Sequence, residues 1–433
     1  DYYASRGLGD VYKRQIKEAW TDMRNQPVIG IVTVIGTALA IFLIMIVTIS
    51  AQVKTMPIAP ENNRDRSLHA KFICLIKNDS QGNSSSMISE EAAHDLYFDL
   101  DGAEAATVYT DSYASALNAD GEPPMRVALR ETDPNYWKVF DFTFIDGTPF
   151  SASSQRNSVI LSRSVARHLL GTDKAVGRRL MLNRYEPYTV VGVVDDVSQL
   201  ADRAYAEAWI PITAKHDSSD LPGLGDFCVT VLARSASDFP KIHADVERRE
   251  AQFNLKLEPF GYKLALFGAP YTQDDAQYLQ YSNGAPDTET PRRERLIVYV
   301  ILLLVPAVNL STMTQSRLRH KVSEFGVRRA FGCTRRRLVA DILTQNFFIT
   351  LAGGILGLIF SLVFAWLFAG SLLIGAKYVV GSATNISIIS LLDWRILLAA
   401  LGFCFVLNLL SSGIPAWRAS RIHVVEAIGG IRK

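Results

Sequence analysis

The feature that most constrains this fold is a set of four long stretches that contain no charged residue and no histidine. They cover residues 27–53, 296–316, 342–376 and 396–417, which is 27, 21, 35 and 22 residues. An α-helix needs about 20 apolar residues to cross the hydrocarbon core of a bilayer, which is about 30 Å thick. Buried helices of soluble proteins seldom reach such lengths without a charge. The sequence therefore predicts an integral membrane protein with four transmembrane helices.

The formal net charge of +2 hides a strong partition of charge along the chain. Residues 317–340 carry eight basic residues and one acidic residue, whereas residues 54–295 carry 26 basic and 35 acidic residues. Lys and Arg in short loops mark the cytoplasmic side of a membrane protein. We therefore expect the 317–340 loop and both termini to be cytoplasmic and residues 54–295 to lie outside. Because the basic cluster is explained by topology, nucleic acid is not an expected partner.

The N-terminus is interpreted separately. Residues 5–15 (SRGLGDVYKRQ) resemble translated sequencing-adapter sequence, so residues 1–15 are left out of the fold argument and the natural start is expected near Ile16. Residues 16–26 predict a short amphipathic helix at the inner membrane surface. The apolar run that follows is about twice as long as the core of a signal peptide, which favours a retained helix.

Residues 54–295 predict a large α+β domain inserted between the first and second spans. At this length the segment can bury its own core, in one lobe or two. Ser89 and Ser162 are expected to cap helices, and Gly171 to end the second of these. Residues 78–86 are polar and are interpreted as turns. Strands are predicted at 72–76, 127–130, 158–161, 188–194 and 227–233, and helices at 90–99, 163–170 and 238–252.

The sequence lacks the common motifs of catalysis and metal binding. There is no G-x-x-x-x-G-K-[ST], so the chain is not expected to hydrolyse ATP through a P-loop. H-E-x-x-H, C-x-x-C and G-x-S-x-G are also absent. The adjacent Asp195 and Asp196 are interpreted as a solvated turn. We therefore predict no catalytic residues, no metal site and no cofactor on this chain.

Two of the four cysteines lie in the segment predicted to be outside, where oxidation is possible. Cys74 and Cys228 both fall in strand-like runs. Cys333 lies in the cytoplasmic loop and Cys404 in the last span, so neither can join them. The sequence leaves open whether Cys74 and Cys228 form a disulfide or remain two thiols in the core.

The cytoplasmic loop predicts a short helix between the second and third spans. Glu324 and Arg328 stand one turn apart in the favourable i,i+4 order. Phe331 is expected to supply apolar contacts, Gly332 to end the helix, and Thr334 to cap the next helix. A helix attached at both ends to membrane spans acts as a lever, because force on it moves both spans. The alternative is a surface loop held by phospholipid head groups.

Small residues recur at four-residue spacing in two of the spans. They are Gly353, Gly357 and Ser361 in the third span, and Gly36 and Ala40 in the first. Such spacing lets helix backbones approach closely. The pattern is typical both of an interface between two copies of the chain and of packing within one copy, and both interpretations remain open.

These cytoplasmic and C-terminal residues carry a family resemblance. The segment EFGVRRAFGCTRRRL (324–338) resembles the E-I-G-[IV]-R-[RK]-A signature of MacB/FtsX-type ABC transporter permeases. The ending IPAWRASRIHVVEAI (414–428) is similar to the closing motif of the same family, with Val424 where proline is usual. Three further segments resemble successive blocks of the MacB-like periplasmic core domain: 135–150, 157–171 and 188–197.

The resemblance covers about residues 16–433 and implies a domain order. It implies a multi-pass protein of the bacterial inner membrane with one span before the outside domain and three after it. The implied segments are a MacB-like periplasmic core domain at 54–295 and an FtsX-like permease domain at 296–433, with spans at about 296–316, 345–368 and 396–417 and a coupling helix at about 321–332.

The resemblance also implies a function. A permease of this family forms a homodimer, or a heterodimer with a paralogue, and works with a separate ABC ATPase that holds ATP and Mg²⁺. It transmits ATP-driven motion to the periplasmic domain and in some cases works with a periplasmic adaptor. The residues expected to contact the ATPase or to form the lever are Glu324, Gly326, Arg328, Arg329, Gly332 and Arg335.

Three functions remain open from the sequence. The first is export of an antimicrobial, macrolide or peptide substrate. The second is a lipoprotein-release or division-type permease that transmits motion to a partner. The third is a membrane-anchored sensor or enzyme without an ATPase, which a copurifying ATPase would exclude.

Overall fold

The computed structural model describes residues 27–419 except 79–81, 120, 152–155, 213–220, 280–281, 321 and 369–393. The predictions for the N-terminal segment 1–26 and for the last part of the closing motif lie outside the described residues, as does the end of the apolar run 342–376. The chain divides into two compact units. We call them the helical unit, with residues up to 51, 290–369 and from 386 onward, and the sheet unit, which contains residues 52–289.

Ten α-helical segments are described. They are α1 (Pro27–Gln52), α2 (Glu90–Tyr97), α3 (Tyr136–Val139), α4 (Arg163–Leu170), α5 (Phe239–Leu257), α6 (Gln273–Ala276), α7 (Glu289–His320), α8 (Val322–Ala330), α9 (Arg335–Leu367) and α10 (Trp394–Ala419).

Three of the described helices are long and apolar enough to cross a membrane, at Gly30–Gln52, Arg335–Leu367 and Leu398–Arg418. The run 296–316 lies within the continuous 32-residue helix α7, and its crossing of a membrane remains a prediction. Helix α9 begins well before the expected span at 345–368, because Thr334 caps it at its N-terminus.

The helices of the helical unit pack through small residues and a few polar contacts. A Cβ atom at Gly357 would lie 2.5 Å from the carbonyl oxygen of Ala38, and one at Gly353 would lie 2.9 Å from that of Val34. Helices α1 and α9 are therefore in backbone contact. Asn408 on α10 donates a hydrogen bond of 3.2 Å to the carbonyl of Leu343 on α9, which satisfies part of a polar side chain inside the unit.

Fifteen strands are described in the sheet unit. They are β1 (Ser67–Ala70), β2 (Phe72–Lys77), β3 (Asn83–Ile88), β4 (Ala103–Thr110), β5 (Tyr113–Asn118), β6 (Met125–Thr132), β7 (Phe144–Gly147), β8 (Ser158–Ser162), β9 (Arg179–Leu182), β10 (Glu186–Val194), β11 (Ala208–Pro211), β12 (Leu224–Gly225), β13 (Phe227–Ala233), β14 (Tyr262–Ala265) and β15 (Tyr271–Thr272).

These strands form one mixed sheet with the order β11-β8-β10-β9-β5-β6-β4-β13-β3-β2-β14. An additional parallel pairing of β11 with β6 closes β5, β6 and β8–β11 into a ring of six strands. Closing a sheet in this way removes its exposed edges. Strand β7 pairs with β10 of the ring, and the other strands extend from β6 through β4 as an open sheet, so the sheet unit has a ring lobe and an open-sheet lobe.

Each lobe has its own apolar core. In the ring lobe, alternate residues of the strands point inward, such as Val127 and Leu129 on β6 and Val159 and Leu161 on β8. This period of two is the one a half-buried strand requires. In the open-sheet lobe, helices α2 and α5 cover one face of the sheet. A third, aromatic cluster around Trp209 packs on the outer face of β8 and β11.

Several local predictions are confirmed by the structure. The Ser89 hydroxyl accepts a hydrogen bond from the backbone N–H of Ala92 at the start of α2. The Ser162 hydroxyl does the same for Val165 at the start of α4, and Gly171 ends α4 with a φ of +69°. A left-handed residue at this position favours glycine, since glycine has no Cβ to clash.

Two local predictions are wrong. Residues 83–86, interpreted as part of a turn region, belong to strand β3, because the antiparallel pairing with β2 supplies backbone partners despite three consecutive serines. Helix α5 ends at Leu257, beyond the predicted residue 252, and Leu257 is buried in the core of the open-sheet lobe.

Cys74 and Cys228 are both buried and free. They lie on β2 and β13, which are not neighbours in the sheet order. Burial raises the pKa of the Cys228 thiol to about 12. Of the two alternatives left open by the sequence, the structure has two core thiols.

Asp133 generates a prediction for the stability of the sheet unit. This buried carboxylate accepts hydrogen bonds from the Thr107 hydroxyl at 2.5 Å and from the N–H of Tyr136 at 2.9 Å. Burial raises its pKa from 3.8 to about 6, although these hydrogen bonds oppose the shift. The folded state therefore holds the proton more tightly than the unfolded state, and Asp133 costs stability as the pH rises through 4 to 6.

We expect Asp133→Asn to gain stability relative to the wild type by about 3 kcal/mol between pH 4 and pH 7, at about 1.36 kcal/mol per unit of pKa. The amide keeps an oxygen acceptor for both donors. The measurement is thermal unfolding of the full chain in detergent at a series of pH values. A difference between the two proteins that does not change with pH would contradict the raised pKa.

The contact of α9 with α1 generates a second prediction. Gly357→Val should destabilise the helical unit by about 1–3 kcal/mol, the usual cost of overpacking. Gly402→Val is the matched control, because no atom lies within 4 Å of a Cβ at Gly402. Unfolding of both full-length variants in the same detergent measures the difference. Equal losses of stability would indicate that the helix propensity of valine, and not the close contact, is responsible.

Candidate coupling site

Helix α8 is the core of the candidate site, and it is joined closely to both neighbouring helices. Helix α7 is described up to His320 and α8 from Val322, and residues 331–334 separate α8 from α9. Arg328 Nη2 donates to Glu324 Oε1 at 2.5 Å. Both side chains are partly exposed, so this pair contributes only about 0.3–0.5 kcal/mol to the helix.

The C-terminal end of α8 is a Schellman motif. Gly332 has a φ of +89°. Its N–H donates to the carbonyl of Arg329 at 3.0 Å, and the N–H of Cys333 donates to the carbonyl of Arg328 at 3.1 Å. This pair of bonds satisfies two carbonyls at the helix end and requires a left-handed residue at position 332. Residue 332 thus ends the helix as the sequence predicts.

The next helix starts immediately after this motif. The Thr334 hydroxyl accepts a hydrogen bond from the N–H of Arg337 at 3.3 Å, as predicted. The connection from α8 to α9 is therefore hydrogen-bonded at both ends and contains no long flexible linker.

The ends of three long helices pack together next to this connection. Leu318 of α7, Leu338 and Ile342 of α9 and Ala416 of α10 form one buried cluster. The cluster thus joins residues that precede α8 in the sequence to residues that follow it. Gly326, in the middle of α8, is also buried.

The first turn of α9 carries three exposed arginines, Arg335, Arg336 and Arg337, and no acidic residue. A helix N-terminus bears a partial positive charge, so cations there are unfavourable for the helix itself. The arginines are therefore available to interact with anionic groups outside this helix, such as phospholipid head groups or acidic side chains of a partner.

The structure corrects the expectation for Phe331. Its side chain is 89% exposed instead of making apolar contacts within the chain, because it follows the last turn of α8 and points away from the packed helix ends. Val327, one turn earlier, is 46% exposed. Sequence reasoning missed this exposed apolar pair. The signal was present, since two large apolar residues stand here among arginines.

The remaining predicted residues lie where α9 and α1 meet. Gly353 and Gly357 contact α1 of the same chain. Ser361 is fully buried and donates to the carbonyl of Leu358 at 2.7 Å. Gly36 is partly exposed, and the glycines of α9 lie against its neighbours Thr37 and Ala38 instead.

Within the described part of the chain, no group of three or more His, Cys, Asp or Glu side chains is placed to hold a metal ion. Asp195 pairs with Arg163 at 3.1 Å. Asp196 accepts from the N–H and hydroxyl of Ser164 at 2.9 and 2.6 Å. Both carboxylates thus interact with residues in the first turn of α4.

Two family models match the chain. The MacB-like periplasmic core domain matches residues 31–249 and the FtsX-like permease C-terminal domain matches residues 296–424. The macrolide export ATP-binding/permease protein MacB of Bdellovibrio bacteriovorus is 23% identical over 300 residues, covering 68% of this chain and 42% of that protein. The ABC transporter permease YknZ of Bacillus subtilis is 22% identical over 278 residues, covering 62% and 60%.

The chain thus spans about half the length of these relatives. A solved structure of the periplasmic region of MacB from Actinobacillus actinomycetemcomitans aligns with 48% of this chain and 92% of that chain, at 13% identity and a TM-score of 0.28. This likeness is too low to add to the assignment, which rests on the two family models. The chain belongs to the MacB/FtsX-type ABC transporter permeases of the bacterial inner (cytoplasmic) membrane.

Proposed function

We propose that the chain is the permease subunit of an ABC exporter and that it transmits the ATP-driven motion of a partner ATPase to its periplasmic sheet unit. The observation that carries this proposal is helix α8, which follows α7 in the sequence and is joined to α9 by a hydrogen-bonded connection. A short helix held in this way converts a push from outside the chain into movement of both long helices.

We propose that a separate ATPase chain holds ATP and Mg²⁺; residues 1–433 themselves contain no P-loop motif. YknZ is named as a permease, whereas the MacB relatives are named as combined ATP-binding and permease proteins. The residues proposed to contact the ATPase or to form the lever are Glu324, Gly326, Arg328, Arg329, Gly332 and Arg335, and the exposed Phe331 and Val327 are added as contacts.

The contact surface combines an apolar and a charged part. Phe331 and Val327 can fill an apolar depression on the ATPase, which is the kind of anchor that dominates binding energy at interfaces. The arginines around them would steer the partner through acidic side chains and set its orientation. Buried Gly326 leaves room for the helix to lie close to its own chain.

The length of α7 supports transmission beyond the bilayer. Its 32 residues extend over about 48 Å at 1.5 Å per residue, which exceeds the roughly 30 Å hydrocarbon core. We propose that α7 is the second of four transmembrane helices and that its remaining length, together with the outer end of α1, forms a stalk. Two permease chains would form a dimer around two ATPases, with a periplasmic adaptor as a further partner.

Export is favoured over lipoprotein release by the relatives. They include proteins named for macrolide export and, in Pseudomonas fluorescens, pyoverdine export at 21% identity, with 68% of this chain and 42% of that protein covered. We therefore propose a substrate of the antimicrobial, macrolide or peptide type, moved outside the membrane by the sheet unit and not through a pore in the bilayer.

The proposed topology can be tested with a native cysteine. Cys333 is partly exposed, whereas the other three cysteines of the chain are buried. A membrane-impermeant maleimide should label Cys333 in inside-out vesicles and should leave it unlabelled in intact spheroplasts. Cys333→Ser supplies the background. Labelling in spheroplasts would place the α8–α9 connection outside the cytoplasm and would rule out an ATPase contact there.

Coupling can be tested by reversing one charge. Arg328→Glu should lower transport by about tenfold or more, because an acidic side chain would face the acidic groups of the ATPase. Transport and ATP hydrolysis are measured with the ATPase that copurifies with the wild-type chain. Arg418→Glu makes the same change of charge at the end of α10, outside α8 and the arginines of α9, and it should retain most of the transport.

A double variant separates helix stability from partner contact. Glu324→Arg combined with Arg328→Glu keeps an ion pair within α8 but inverts the charges presented to the partner. We expect it to remain uncoupled. Full recovery of transport would mean that the pair only stabilises the helix, and wild-type transport by Arg328→Glu alone would contradict the coupling role.

A further inference from the structure

The sheet unit contains a cavity of about 340 Å³ with an excess of positive charge. Its lining includes two carboxylates, Asp111 and Asp202, and a larger set of cationic residues. We call it the basic cavity and define it by these five cations: Lys54, Arg64, Lys71, Arg130 and Arg203. These five residues are far apart in the sequence and become neighbours only in the folded sheet unit.

Two of the five cations are already neutralised by carboxylates. Arg64 Nε donates to Glu61 at 2.7 Å, and its terminal nitrogens donate to backbone carbonyls, including that of Met56 at 2.9 Å. Lys71 Nζ lies 2.5 Å from Asp111. Burial alone would lower the pKa of Lys71, but the nearby Cys228 and Asp111 outweigh it and raise the pKa.

Arg130 is different, because its charge meets no carboxylate. The side chain is 2% exposed, and Nη2 donates to the carbonyls of Asp202 and Tyr205 at 2.9 and 3.2 Å. Among the described residues, Nε and Nη1 have no hydrogen-bond partner. The guanidinium lies 5.0 Å from the ring centroid of Tyr109. A buried charge with unpaired donors is costly unless something else satisfies them.

Arg203 adds a second cation with a neutral partner. Its Nη1 donates to Oε1 of Gln273 at 2.9 Å, and the side chain lines the same cavity. Arg130 and Arg203 together therefore present two guanidinium groups to one enclosed space. Guanidinium groups match the geometry of carboxylate and phosphate oxygens.

His69 completes the polar lining. It is buried, and its Nδ1 forms a hydrogen bond of 3.1 Å with the Thr230 hydroxyl. Within the described ranges, Nε2 has no hydrogen-bond partner. Burial, followed by the charges of Arg203 and Arg64, lowers the pKa of His69 well below its usual value. The imidazole therefore stays neutral at physiological pH, and the cavity already carries too much positive charge to accept another proton.

We propose that the basic cavity is a binding site for a compact anion with a carboxylate or phosphate group, held by the guanidinium groups of Arg130 and Arg203. The anion would supply acceptors for the unpaired donors of Arg130 and would offset the buried positive charge. A volume of about 340 Å³ lies at the lower end of the range for small-molecule sites, which fits a small metabolite-sized ligand. The site is independent of the transport function proposed above.

The experiment uses the purified full chain in detergent and two probes, inorganic phosphate and succinate, titrated against sodium chloride at equal ionic strength. Thermal unfolding measures binding, because a ligand that binds the folded state raises Tm in a saturable way. We expect one or both probes to raise the Tm of the wild type above the chloride series. A response to phosphate alone, or to succinate alone, identifies which oxyanion the site accepts.

Substitutions of cavity residues test whether the rise in Tm comes from binding in the basic cavity. Arg203→Gln should weaken binding about tenfold or more, the usual loss for a hydrogen bond to a charged group. Gln199→Glu, which adds a carboxylate to the lining at nearly constant shape, should also weaken it by repulsion. Arg130→Gln should abolish it, and the first two variants keep the test valid if this one does not fold.

Arg234→Gln is the control, because Arg234 is an exposed arginine of the sheet unit outside the cavity lining. It should bind the probe as the wild type does. The proposal is overturned if neither probe exceeds chloride, or if Arg203→Gln and Gln199→Glu respond with wild-type affinity, since the stabilisation would then be a general ion effect on the protein surface.

Discussion

The hydrocarbon core of the bilayer offers no partner for a charge or for an unpaired backbone group, and the organisation of this chain follows from that constraint. Its charges are restricted to the sheet unit, the helix ends and the connection around α8. Inside the helical unit, helices must instead associate by close packing. Gly353 and Gly357 allow α9 to contact the backbone of α1, and Asn408 finds a carbonyl on the neighbouring helix.

The same constraint shapes the region around α8. The charged residues of the loop stay in water, while Leu318, Leu338 and Ala416 bury the helix ends beside them. A Schellman motif at Gly332 and a cap at Thr334 determine the backbone path from α8 to α9. The region therefore combines a charged surface for a partner with a firm attachment to the membrane helices.

Local features of this fold were predictable because they depend on a few adjacent residues. The caps at Ser89, Ser162 and Thr334 and the helix end at Gly332 follow from side-chain chemistry within one turn. Strand β3 was not predictable in this way, since its serines have little preference for strands and its pairing with β2 decides the outcome. The parallel pairing of β11 with β6, which closes the ring, joins residues far apart in sequence and leaves no local pattern.

Some residues of the candidate site could likewise be predicted from the sequence and others could not. Motif spacing identified Glu324 and Arg328 as neighbours, and the structure places them in contact. The exposure of Phe331 depends on the direction in which the chain leaves α8, which no short pattern encodes. The basic cavity escaped prediction because its cations lie on segments from Lys54 to Arg203, and each looks like an ordinary surface residue when read alone.

Arg64 links the segment that follows α1 to a distant loop of the sheet unit. Its buried guanidinium donates hydrogen bonds to the backbone carbonyls of Val53, Met56 and Leu200. The Glu61 carboxylate accepts hydrogen bonds from the backbone N–H groups of Arg203 and Ala204. The short segment that follows α1 is thus hydrogen-bonded to a loop more than a hundred positions downstream in the sequence. A pulling force along α1 would act on several short hydrogen bonds in parallel instead of extending a flexible linker. The segment after α1 would therefore move together with the loop that contains Leu200 and Arg203.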